Sequence, residues 1–387
     1  MRDRPYTLYR TTRVAPAARV AAIGSLVLLA LGPVAVTALA LGRADPVAVK
    51  APRASPPRIA RTAAPAVTIT AVGDVALGHA GSPLIDPDAL FARVRLLLRG
   101  DLVTANLETA LSDRSAAKCG DGRDGCYAFR ASPDSAGGLR RAGFTLLNLA
   151  NNHTRDAGDA GLADTETALA SAGLARTGAP GQISVVSAHG IRIAVVGFAP
   201  YPWAADLLDI PGAQHLVRTA AARADLVVVQ MHAGAEGTAY QHVGRGGETY
   251  LGERRGDPAA FAHAVIDAGA DLVVGHGPHL LRALEWYRGR LIAYSLGNFA
   301  SYRNFALDGP LGVSAVLRVR LHADGSWLGG RLVPVRLEGT GTPTPDPGAA
   351  AVALVRDLSR DDLGATAATL RGAGAISASP RAASSSR

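Results

Sequence analysis

Cysteine and lysine are almost missing from this chain of 387 residues, which holds two of each, and only 19% of its residues are charged. Two cysteines, Cys119 and Cys126, cannot build a thiolate zinc centre, because no further soft ligands lie near them. The scarcity of lysine beside abundant arginine, alanine and glycine reads as codon bias and carries no mechanism. Also absent are a Gly-x-Ser-x-Gly elbow with its triad, a Walker loop, and a dinucleotide fingerprint after a strand. Their absence argues against a serine hydrolase, a P-loop nucleotidase and a Rossmann dehydrogenase.

A net charge of +8 suggests nucleic acid until it is located. Residues 1–66 carry ten basic side chains against two acidic ones, so the remaining residues hold thirty of each sign and sum to zero. A neutral body behind a basic leader predicts no nucleic-acid partner. Residues 20–41 form an uncharged apolar run, long enough for a helix across the hydrocarbon core. Arg2, Arg4, Arg10, Arg13 and Arg19 precede it and favour a cytoplasmic N-terminus, with the rest of the protein outside. The expectation is a single-pass membrane protein with an extracytoplasmic body. The alternative is secretion after cleavage near Ala38-Leu39-Ala40. In that compartment Cys119 and Cys126, flanking a turn-rich hexapeptide, read as a disulfide, with two unpaired thiols as the alternative.

The expected organisation is a basic tail (1–19), a signal anchor (20–42), an Ala/Pro/Arg linker (43–66), a globular domain (67–340) and a C-terminal helix with a disordered tail (341–387). Strands are expected at 67–72, 102–105, 145–149, 226–231 and 272–274, and helices at 89–98, 161–172 and 259–268. Hairpins are expected at 183–188 with 191–198 and at 281–287 with 290–295, and closing strands at 312–321 and 327–337. Residues 343–349 read as a linker and 351–370 as a last helix. This order gives an α/β protein with mixed sheets.

Polar residues able to bind a metal recur just past strand ends. Asp74 follows the first strand, and Asn106 with Glu108 the second. Asn151, Asn152, His153 and Asp156 follow the third, and His232, His276 and His279 follow two later ones. Ligands bind at the carboxyl edge of such sheets. Singly each residue is more often a turn or surface group, but five loops aimed at one edge reverse those odds. Oxygen and imidazole donors without thiolate suit Mn, Fe, Zn or Mg, as one ion or two. His153 could serve as a general acid, with Asp156 orienting its ring.

At these residues the chain resembles the CapA (poly-γ-glutamate capsule biosynthesis) family, itself similar to calcineurin-like metallophosphatases. The stretches carrying the resemblance are Thr70-Ala71-Val72-Gly73-Asp74, Asn106-Leu107-Glu108-Thr109, Leu149-Ala150-Asn151-Asn152-His153, Gln230-Met231-His232-Ala233-Gly234-Ala235-Glu236, Gly275-His276-Gly277-Pro278-His279 and Tyr294-Ser295-Leu296-Gly297-Asn298-Phe299. The resemblance implies a four-layer αββα sandwich with a metal cluster at the sheet edge. It implies Asp74, Glu108, Asn152, His232, His276 and His279 as ligands and His153, with Asp156, as the catalytic pair. Asn106, Glu236 and Asn298 become candidate substrate contacts. The implied work is hydrolysis of a phosphoester or polymer linkage on an anionic envelope polymer, or non-catalytic polymer binding and export beside a membrane synthase. The phosphatase pattern Asp-x-His reads Asp74-Val75-Ala76 here, which removes a ligand of one metal. His79 stands where arginine is common, and Gly244-Arg245-Gly246-Gly247 reads as a flexible rim loop.

Overall fold

The computed structural model of the protein describes residues 64–78, 86–115, 118–119, 127–302 and 305–379. The basic tail, the expected anchor, most of the linker, His79, Cys126 (and with it the expected disulfide) and residues 380–387 lie outside the described residues. No described helix is long and apolar enough to cross a membrane.

Two large sheets are present, one of ten strands and one of seven. The first strand, Ala66–Ala76, lies inside the larger sheet. It pairs in parallel with Leu102–Leu107, which pairs with Leu146–Asn148 and that with Ala175–Thr177. On its other side it pairs antiparallel with Val313–His322, followed by Trp327–Glu338, and its far end pairs in parallel with Asn298–Ser301. In the second sheet, Ile191–Ala199, Leu226–His232, Leu272–His276 and Arg290–Ala293 run parallel. Hairpins at either edge add Ser184–Ala188 and Leu284–Tyr287.

The alternation of side chains explains the layering. In Leu226–His232, Leu226 and Val228 pack into a cluster with Ile69, Ala71 and Leu102 of the other sheet. Val227, Val229 and Met231 point the opposite way, against Leu216 and Val217 of the helix Ile210–Ala221 and Phe261 and Val265 of Pro258–Asp267. A strand buried on both faces must be apolar at nearly every position, and this one is. The larger sheet turns Val103, Ala105 and Leu147 outward onto Leu139 of the helix Ser135–Ala142 and Leu169 of Gly158–Ser171. Two sheets therefore lie back to back, with helices on both outer faces.

Several expectations need correction. The helix expected over 89–98 is regular only over Pro87–Phe91 and continues as hydrogen-bonded turns to Leu98. The helix Ile210–Ala221 is not evident from the sequence because Pro211-Gly212 opens it, and the Asp209 carboxylate, which accepts from the Gly212 N–H at 3.1 Å, marks its start. The expected linker at 343–349 begins as an edge strand, Thr342–Pro345, in which the prolines Pro343 and Pro345 mislead the reading. The last helix is Ala350–Leu363 and ends at Gly364, and Leu370–Arg371 with Ala375–Ile376 then join the larger sheet. Ser379, expected in a disordered tail, is 3% exposed.

The register shifts between Ala71 and Asp74, so the first strand bulges where it must aim a carboxylate. Gly73 fills that bulge against the backbone of the 296–297 turn. A Cβ there would lie 1.8 Å from the Gly297 carbonyl oxygen. Gly73→Ala should destabilise the fold by about 2 kcal/mol or more, since neither backbone can retreat. Chemical denaturation measures this, and a change within ~0.5 kcal/mol would show that the turn yields freely.

Candidate metal centre

Strand pairing sets the site as two rows. Across the larger sheet, Asn298, Asp74, Asn106 and Asn148 are consecutive partners, the last three near the carboxyl ends of their strands and Asn298 at the start of its own. Across the second sheet, His232 pairs with His276. Stacking the sheets brings the rows together: Asn106 Nδ2 donates to Asp74 Oδ1 at 2.9 Å and reaches His232 Nδ1 at 3.3 Å. His276 Nδ1 lies 3.7 Å from Asp74 Oδ1. His279 Nδ1 lies 3.2 Å from Asp74 Oδ2 and 3.1 Å from Asn298 Oδ1. His279 holds a left-handed backbone conformation, φ +63°, a strain that a non-glycine residue sustains where surroundings fix it.

Glu108 is the informative residue. It is fully buried, and neither carboxylate oxygen has a hydrogen-bond partner. Its oxygens stand 3.9 Å from His232 Nε2 and 3.8 Å from His279 Nδ1. His232 Nε2 and His276 Nδ1 are also buried without a hydrogen bond, as is Asn152 Oδ1. One donor atom each from Asp74, Glu108 and His232 falls within 4.8 Å of the others. Buried polar atoms are normally satisfied, so a convergent set of orphans of this chemistry fits a divalent cation. The imidazoles are aimed from behind: His276 Nε2 meets Gln230 Oε1 at 3.1 Å, and Gln230 donates to Thr104 Oγ1 at 2.8 Å, leaving Nδ1 as the free nitrogen.

The charges agree. Burial pulls His232 well below the ordinary imidazole range and His276 down to about 4, so both are neutral donors at pH 7. Burial pushes Glu108 well above the usual carboxylate range. Asp74 is opposed by burial, yet the His279 hydrogen bond and the surrounding imidazoles hold it at about 2. Burial disfavours a charged His279, but Glu108, Asp74 and Glu236 outweigh it and push it up to about 10. In the absence of a cation, a protonated His279 supplies the positive charge beside Asp74.

Asn106, expected to touch substrate, is fully buried with its amide committed: besides Asp74 and His232, its Oδ1 accepts from Asn148 at 3.1 Å and Asn151 at 3.0 Å. It acts as a strut between the sheets. Glu236 and Asn298 both flank His279, Glu236 Oε2 at 3.7 Å from Nε2. His153 and Asp156 form a separate dyad, Nδ1 to Oδ2 at 2.6 Å, with Phe129 stacked on the imidazole at 3.9 Å. Phe305 meets Phe129 edge-on and also covers His279, so one aromatic pair borders both imidazoles. Burial lowers the His153 pKa against the opposing Asp156 bond.

Four side chains here carry no sequence signal that singles them out. Lys118 reaches Asp156 Oδ1 at 3.2 Å and the Asn152 carbonyl at 3.2 Å. Arg282 is fully buried and pairs with Glu248 through both of its terminal nitrogens at 2.9 Å. Glu248 opens a short hairpin, Glu248–Tyr250 with Glu253–Gly256, just after the expected rim loop. Arg255, 4% exposed, holds Glu236 Oε1 at 2.8 Å. Only Lys118 had a hint, as the one lysine among the described residues.

The model of the family described as bacterial capsule synthesis protein PGA_cap matches residues 68–303. The capsule biosynthesis protein CapA of Bacillus anthracis is 32% identical over 259 residues, covering 60% of this chain and 59% of that protein. That match leaves more than a third of the anthracis protein's length unspanned. The PGA biosynthesis protein CapA of Bacillus subtilis is 28% identical over 333 residues, covering 80% of this chain and 82% of that one. Among solved structures, the 5'-nucleotidase precursor of Thermus thermophilus aligns with a TM-score of 0.40 at 15% identity, over 76% of this chain and 59% of that one.

Proposed function

The chain belongs to the bacterial capsule synthesis protein family PGA_cap, and we propose that it is a metal-dependent hydrolase of capsule-type envelope polymer metabolism. The cleaved bond is a phosphoester or a polymer linkage. The supporting observation is Glu108, a buried carboxylate with no hydrogen-bond partner, 3.9 Å from the equally unpartnered Nε2 of His232. Asp74, Glu108, His232, His276 and His279 would hold one divalent ion or two, with Asn152 as a further oxygen donor. Such an ion supplies Lewis acidity to the scissile group. His153 bonds to Asp156 through Nδ1, which leaves Nε2 to give a proton to the leaving group. Asp156 Oδ2 accepts from His153 Nδ1 and the Phe129 N–H while Oδ1 forms an ion pair with Lys118, so the ring is held in one orientation.

The body is placed outside the cytoplasm behind a retained N-terminal anchor, on the strength of the apolar run 20–41 and the five arginines before it. Cleavage near Ala38-Leu39-Ala40 would release it instead. A second reading is a polymer-binding or export factor working beside a membrane synthase. Ala76 favours that reading, since a buried methyl group stands where the phosphatase pattern supplies an imidazole.

Elemental analysis of the full-length chain against Glu108→Gln tests the proposal. The wild type is expected to retain one or two Mn, Fe or Zn ions per chain. Glu108→Gln, which keeps the shape and removes the charge, should retain less than about a tenth of that. A wild type that takes up no ion after incubation with each metal would end the hydrolase reading and leave the binding factor.

A further inference from the structure

Arg255 is not used by the chemistry above, yet it is the most unusual cation in the molecule. Its side chain is 4% exposed, and Nε and Nη1 are buried with no hydrogen-bond partner, while Nη2 alone serves Glu236 at 2.8 Å and Glu253 at 3.3 Å. A guanidinium presents five N–H donors in a rigid fork, and burying several of them unpaired is unfavourable. The plane is clamped, with its centre 5.9 Å from the Tyr201 ring and 5.6 Å from the Tyr250 ring. The Tyr201 hydroxyl is itself tied to Glu253 at 3.1 Å, and Tyr201 stacks on Trp203, whose Nε1 donates to the Asn151 carbonyl at 2.9 Å. A continuous brace therefore runs from the His153 loop to Arg255.

The position of Arg255 matters as much as its orphan donors. Its Nη2 meets Glu236 Oε1 at 2.8 Å, and the other oxygen of Glu236 lies 3.7 Å from Nε2 of His279, one of the expected metal donors. A permanent cation beside a cation site weakens that site and is a liability unless something anionic arrives with the metal. Glu236 and Glu253 offset part of the charge through Nη2 but leave Nε and Nη1 without a partner.

We infer that Arg255 is a substrate-binding residue: the unpaired Nη1 of its clamped guanidinium donates to an anionic oxygen, phosphoryl or carboxylate, of the molecule bound at the metal centre. The inference rests on the site reading above and assigns the part of it that recognises negative charge. The clamped plane fixes where Nη1 points, so lysine in its place keeps the charge and loses the geometry.

The test titrates inorganic phosphate and, separately, a short γ-linked glutamate oligomer into the metal-loaded full-length chain, followed by calorimetry. Arg255→Lys is compared with wild type. The double variant Arg255→Gln with Glu253→Gln guards against a misfolded protein, because it leaves one fewer unpaired acid. Melting temperature and metal content are recorded for each. The expected result is at least a tenfold loss of affinity for one of the two anions in both variants, with folding and metal uptake kept. Which anion responds identifies the phosphoryl or the carboxylate source. Wild-type affinity in both variants overturns the inference, and so does a wild type that binds neither anion. If the wild type holds no metal, the hydrolase reading fails by itself. The same titrations on the metal-free chain then still decide Arg255, whose charge belongs to the protein.

Discussion

His153→Ala should lower the rate of hydrolysis by about 10²–10⁴-fold, the span over which a positioned general acid acts, while leaving fold and bound metal in place. The separation follows from the geometry. His153 is held by Asp156, Phe129 and the loop after Leu146–Asn148, and its hydrogen-bond partners do not include Asp74, Glu108, His232 or His276. The substitution removes a proton donor and one stacking partner without touching the donors of a cation. The measurement is kcat on a phosphate monoester, alongside elemental analysis and a thermal melt. A variant that keeps wild-type kcat would show that the dyad is structural. One that loses metal as well would place His153 among the ligands. For a pure binding factor, His153→Ala should leave polymer affinity unchanged.

Arg282→Met should be the most damaging single change to stability outside the metal donors, costing about 3–5 kcal/mol. Arg282 is fully buried and its bidentate bonds to Glu248 are the principal neutralisation of that acid. It also donates to the Ala235 carbonyl at 3.1 Å, while Glu248 Oε2 accepts from the Ala235 N–H at 2.7 Å. Gly234 is required beside them, because a Cβ there would lie 2.8 Å from Arg282 Nη1. Removing the cation leaves the Glu248 carboxylate, its side chain 13% exposed, with the Ala235 N–H but no opposing charge, and releases the loop that carries Glu236. Urea denaturation of the single variant and of Arg282→Met with Glu248→Gln reads this directly. The pair should recover a large part of the loss, as neutralising both partners removes the stranded charge. A loss below about 1 kcal/mol in the single variant would show that water reaches Glu248.

How much of this was legible in the chain depends on how each residue is held. The donors Asp74, His232 and His276 stand at or near the carboxyl ends of apolar strands and Glu108 and His279 just past them, and strands ending together deliver these residues to one edge. That relation is local and can be read from sequence. Arg255, Arg282 and Lys118 act through partners on other segments, Arg282 with Glu248 across 34 positions and Lys118 with Asp156 across the helix Ser135–Ala142 and the strand Leu146–Asn148. Periodicity carries no record of such pairings. Asn106 shows the opposite error: its type and place suggested an outward contact, but three neighbouring side chains and His232 consume its amide. Proline misled twice, hiding the start of Ile210–Ala221 and disguising the edge strand Thr342–Pro345 as a linker.

The first strand has a consequence for how the molecule comes into being. Its antiparallel neighbour begins at Val313 and its parallel partner at the Asp74 end is Asn298–Ser301, more than two hundred residues later in synthesis. Ala66–Ala76 is among the earliest of the described segments to be made and among the last to acquire both flanking strands. Until then one edge of it stays open, and Asp74 has neither the Gly297 carbonyl that anchors its N–H nor His279 beside it. Contacts of such long sequence separation slow folding and prolong the exposure of apolar strand edges. The cluster therefore assembles only when nearly the whole body is available, and a prematurely ended chain carries most of the donor residues without the architecture that makes them a site.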